Sequence, residues 1–84
     1  MTENQLKKLE GKRIAFKLPA FKHAVQINHY VGVVGLQETR LANSTKVHYN
    51  MVLSYCNKNG LDCQHDIVIQ WNRLAEIKEW GIIG

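Results

Sequence analysis

The chain has 84 residues, enough for one domain spanning 1–84. A domain of this size has a small core, burying only about 60–65% of the surface its unfolded chain exposes. Its 45% hydrophobic and 21% charged content excludes a disordered, charge-rich chain. The formal net charge is +4, and all of it falls in residues 1–40, where seven cations face three carboxylates; residues 41–84 balance four against four. A one-sided excess suits a polyanionic partner, although +4 is also an ordinary solubility margin for a small domain. No apolar run approaches the ~18 residues of a membrane span, and the polar start lacks a signal-peptide core. With two cysteines and no targeting signal, the expectation is a cytoplasmic protein with reduced thiols and no membrane partner.

The first predicted element is a short helix over about residues 3–9. Thr2 followed by Gln5 fits a capping box, in which the hydroxyl caps the helix and the third helical residue reaches back. Leu6 and Leu9 share one face, and Gly11 suits a left-handed stop. A helix under ~12 residues is marginal alone, so this one has to pack on the body. Over Lys12 to Leu18, Ile14, Phe16 and Leu18 alternate with Arg13, Ala15 and Lys17, the pattern of a half-buried strand. Pro19 ends it, and residues 19–23 read as a loop.

A longer β region follows over about residues 24–41, with Val25, Ile27, His29, Val31 and Val33 as its expected inner face. Gly32 and Gly35 interrupt it, as glycines do at bulges and sharp bends. Residues 41–45 are a turn. The third strand, Lys46 to Cys56, sets Val47, Tyr49, Met51, Leu53 and Tyr55 on one face and His48, Asn50, Ser54 and Cys56 on the other. After the turn signal at residues 57–60, Cys63, His65, Ile67, Ile69 and Trp71 form the apolar set of a fourth strand.

These two sets constrain the hairpin register. A two-residue Asn59-Gly60 turn would put Cys56 opposite Cys63 but would turn the apolar sets to opposite faces. A three-residue loop, Lys58-Asn59-Gly60, pairs Val47 with Trp71, Tyr49 with Ile69, Met51 with Ile67 and Leu53 with His65. Each large apolar side chain buried contributes about 1.5–3 kcal/mol, so the second register is expected, with no disulfide between Cys56 and Cys63. At the C-terminus, a helix over Leu74, Ile77 and Trp80 competes with a single turn at residues 72–74 followed by a strand at 75–80. The second is preferred, because a four-strand set needs its edges closed.

Together these elements give a mostly β fold. By architectural analogy it is a small SH3-like or Sm-like barrel of about five antiparallel strands with a short N-terminal helix. Such barrels host many binding roles, so the fold alone assigns none. For nucleic acid the candidates are Lys12, Arg13, Lys17, Lys22, His23 and Arg40 for phosphates, and Phe21 as a stacking platform for an unpaired base. Core anchoring is the ordinary alternative for Phe21, and Phe16 reads as core. Affinity is then expected to fall with salt and with loss of Lys12 and Arg13.

The alternative function is a protein-interaction or inhibitor module acting through exposed apolar residues, alone or as a homo-oligomer, with Trp80, Ile82 and Ile83 as the interface candidates. No CxxC or HxxxH pair marks a metal site, and His65 on the apolar strand face reads as a hydrogen-bonded core histidine. No nucleophile elbow, phosphate loop or zincin motif is present. Asp62 and Asp66, four apart on a strand, have ordinary surface roles, as does Cys56. No catalytic residue, metal or cofactor is therefore assigned.

Overall fold

The computed structural model describes residues 1–55 and 65–83. Its elements run α1 (Glu3–Lys8), β1 (Arg13–Pro19), β2 (Ile27–Arg40), β3 (Val47–Tyr55), β4 (His65–Ile69), a 3-10 helix (Trp71–Glu76) and β5 (Lys78–Ile82). The capping box forms: the Gln5 N–H donates to Thr2 Oγ1 at 3.1 Å, and the Thr2 N–H donates to Gln5 Oε1 at 2.9 Å. Gly11 takes the left-handed conformation at φ 80° beyond the helix end, and Leu6 and Leu9 are buried, anchoring α1 on the body.

All five strands join one antiparallel sheet in the order β4-β3-β2-β1-β5. The barrel expected from the sequence is not closed. Among the described residues β4 pairs only with β3, and β5 only with β1. Ile14, Phe16 and Leu18 of β1 form the core with Val34, Met51, Leu53 and Ile69, roofed by Leu6 and Leu9 from α1 and by Leu74 and Ile77 at the 3-10 helix. Phe16 stacks on Tyr30 with ring centroids 5.3 Å apart.

Further sequence expectations need correction. The inner face of β2 is the even-numbered set. The pairs Phe16↔Tyr30 and Ile14↔Gly32 put Tyr30, Gly32 and Val34 in line with the β1 core. Val25 precedes the strand and is 98% exposed, and Ile27 and Val33 of the expected face are also exposed. The hairpin register is also two residues off: Met51 pairs with Ile69 and Leu53 with Ile67. A two-residue slip keeps every side chain on its face, so hydrophobic patterning does not detect it. Trp71 leaves the sheet to begin the 3-10 helix. The 57–60 turn, Cys56, Asp62, Cys63 and the side chain of His65 lie outside the described residues.

The expected wet face of β3 is partly dry. His48 and Asn50 are buried. The His48 ring stacks on Trp71 at 3.8 Å between centroids, and Asn50 Oδ1 accepts the Trp71 N–H at 2.9 Å. Glu3 closes the cluster from α1, accepting the Tyr49 N–H at 2.8 Å and the His48 Nδ1–H at 3.2 Å. No buried side-chain N or O among the described residues lacks a partner, as buried polar groups require. No helix in the described residues is long and apolar enough to cross a membrane.

Candidate nucleic-acid interface

The β1–β2 connection begins where Pro19, lacking an N–H, ends the strand. The Ala20 N–H donates to the Gln26 carbonyl at 2.9 Å, closing the loop at its base. Within it the Ala24 N–H donates to the Phe21 carbonyl at 2.9 Å, and His23 adopts φ 63°. This is a tight turn whose third residue is left-handed, uncommon for a non-glycine residue. It holds Phe21 67% exposed, so core anchoring is not its role.

The loop forms one wall of an open groove of about 820 Å³, and the 3-10 helix and the start of β5 form the other. Small-molecule sites typically span ~300–1,000 Å³. Arg73 joins the walls: its guanidinium donates to the Pro19 carbonyl at 2.8 Å and to Glu76 at 3.1 Å. Phe21, Lys22 and His23 line one side, with Gln70, Asn72 and Lys78 on the other. Lys22 and Lys78 make no ion pair among the described residues.

A smaller recess of about 310 Å³ adjoins this groove, lined by Lys17, His29, Lys78 and Glu79 and sharing Pro19 and Ile27 with it. Lys17 faces His29 on one side of β1 and Lys78 on the other. Like charges directly opposite each other destabilise a sheet, and Glu79 offsets them with an ion pair to Lys17 at 2.5 Å. That Lys17 hydrogen bond and charge, helped by His29, hold the Glu79 carboxyl below its ordinary value.

The structure therefore brings Lys17, Phe21, Lys22 and His23 to one end of the sheet. Arg13 opens β1 six residues before Pro19, about 20 Å away at ~3.3 Å per residue. Lys12 lies beside it, and Arg40 ends β2 at the opposite end from Ile27. These three exposed cations stand apart from the groove. Sequence reasoning missed Arg73 and Lys78, since both come from the charge-balanced half. It also missed His29, read as an inner-face residue, and Gln70 and Asn72. The β1–β2 pairing sets His29 opposite Lys17, the pairing of the last strand with the first brings in the others, and no linear spacing signals either. Of the self-association candidates, Trp80 packs half-buried against the core, while Ile82 and Ile83 on the β5 edge are exposed. No group of three or more His, Cys, Asp or Glu residues suited to a metal occurs among the described residues.

Compared with protein-family models, curated proteins and solved structures, the chain matches none.

Proposed function

We propose that this chain is a non-enzymatic binding module that takes single-stranded nucleic acid into the groove between the β1–β2 loop and the 3-10 helix. The observation that carries the reading is Phe21, held exposed by a hydrogen-bonded turn and flanked in one groove by Lys22 and Lys78. An exposed ring stacks an unpaired base of any identity, and unpaired lysines neutralise phosphates. Lys12, Arg13 and Arg40 then act at longer range, as part of the field rather than as contacts. Strand order and the 3-10 helix between β4 and β5 support an SH3-like or Sm-like relationship, and the reading carries with it a cytoplasmic location.

Fluorescence anisotropy with a labelled single-stranded oligonucleotide tests this reading. Affinity is expected to fall steeply with salt, with a log–log slope of about −0.7 per phosphate neutralised. Phe21→Ala should weaken binding by about 1–3 kcal/mol. Lys22→Ala with Lys78→Ala should flatten the salt slope more than Lys12→Ala with Arg13→Ala does. Absence of binding to any DNA or RNA pool at low salt overturns the proposal.

A second reading rests on a separate observation. Ile82 is 55% and Ile83 47% exposed on an edge strand, where an unpaired backbone invites another chain. A protein partner or second copy covering that edge is compatible with an occupied groove.

A further inference from the structure

We infer that the recess around Glu79 is a second phosphate subsite, which takes the next phosphate along a bound single strand, and that the Glu79 carboxylate holds that phosphate's place while the groove is empty. The inference rests on the nucleic-acid reading and adds to it where the backbone runs and what opposes its entry.

Three observations converge on the recess. Lys17 stands opposite Lys78 on β5, a pair of cations that needs an anion, with the His29 ring of β2 on its other side. Glu79 supplies it from a strained position. Its φ is 51°, where L residues are uncommon, and it lies where the β1–β5 pairing shifts register between Ala15 and Lys17. Bulges re-aim side chains, and strained backbone persists where the surroundings hold it, often at ligand sites. His23, another of the few non-glycine residues at positive φ, lines the adjoining groove.

The Glu79 carboxylate is also easily displaced. Its side chain is 68% exposed, and exposed ion pairs are weak. A phosphodiester oxygen entering the recess meets the same Lys17 ammonium and exchanges one anion for another. Lys78 lines both the recess and the groove, so it lies between the two phosphates. Glu79 thus cancels one of the two lysine charges when the site is empty and lowers its affinity for every anion.

The test uses the full chain with a labelled oligothymidylate, and inorganic phosphate followed by amide NMR. Glu79→Gln should bind the oligonucleotide about three- to tenfold tighter at low salt, with a log–log slope steeper by about 0.7, because Lys17, no longer neutralised by a carboxylate, then releases its own counterion on meeting the phosphate. Glu10→Gln removes the same charge far from the groove and should leave the slope unchanged. Adding Lys17→Ala to Glu79→Gln should cancel the gain. Glu79→Gly removes both carboxylate and strain and should reproduce it, with thermal unfolding confirming that each variant folds.

If wild type binds but Glu79→Gln matches Glu10→Gln in slope and affinity, the subsite is overturned and the nucleic-acid reading stands. If neither binds the oligonucleotide but phosphate shifts the Lys17 and Lys78 amides only in Glu79→Gln, the subsite stands and the nucleic-acid reading falls. Absence of both responses overturns both.

Discussion

At Gly32 a methyl group would lie 2.6 Å from the Ser54 carbonyl oxygen and 2.9 Å from Leu53 Cγ. The backbone of β2 approaches β3 closely here, and only glycine fits without movement. Gly35 is more tolerant, with its nearest neighbour, the Val52 carbonyl oxygen, at 3.3 Å. Gly32→Ala should therefore cost about 1–3 kcal/mol, the usual range for overpacking, and Gly35→Ala clearly less; urea unfolding of the two variants gives the comparison. Equal losses would mean that the approach at Gly32 is not a packing constraint.

The same residue explains why the face of β2 was misread. Gly32 adds nothing to a tally of apolar side chains, so the odd set from Val25 to Val33 outscores the even set that faces the core. The buried His48 and Asn50 escaped for a related reason. Their cover comes from Glu3 and Trp71, which lie far from them in sequence and have no periodic relation to them.

The N-terminal helix was the most legible element, because its cap, buried face and stop lie within ten residues of one another and act locally. Its attachment was not legible, since it depends on Glu3 reaching the backbone of β3. Burial raises the Glu3 carboxyl pKa, but the Tyr49 N–H, His48 and more distant Lys46 outweigh that and bring it below its ordinary value of 4.5. A depressed carboxylate contributes stability that is complete above its unfolded pKa and is lost as pH falls through its folded pKa. Glu3→Gln should therefore be less stable than wild type by about 1–2 kcal/mol at pH 7, the scale of a lost charged hydrogen bond. The difference should shrink below the ordinary carboxylate value. Chemical denaturation across that range checks it, and a gap that persists in acid would show that the charge of Glu3 is not what matters.

The β3–β4 hairpin shows the complementary limit. Its parity followed from sequence, because a one-residue slip exposes a whole face. Its absolute register did not, because a two-residue slip exposes none.

Across the whole molecule, the charge asymmetry located a candidate partner class but not the site. Of the seven cations in residues 1–40, only Lys17 and Lys22 line the groove or its recess, and the second half supplies Arg73 and Lys78. The two sheet edges give a separate prediction. Ile82→Thr with Ile83→Thr removes exposed apolar surface from the β5 edge while leaving Trp80 against the core. If that edge mediates self-association, size-exclusion chromatography with light scattering should show wild type larger than the variant at high concentration. Identical monomers in both cases would remove a second copy as the occupant of that edge.

The pairing of β5 with β1 also has a temporal consequence. Chains emerge from the ribosome N-terminus first, whereas a domain folds as a unit. Phe21 and Lys22 are made early, but the opposite wall, with Arg73 and Lys78, is made only with the last quarter of these residues. A nascent chain displaying the first half carries most of the positive charge and no groove. The groove thus forms only when β5 closes on β1, and a molecule cut short before β5 keeps the positive charge of the first half without the geometry proposed to hold a strand.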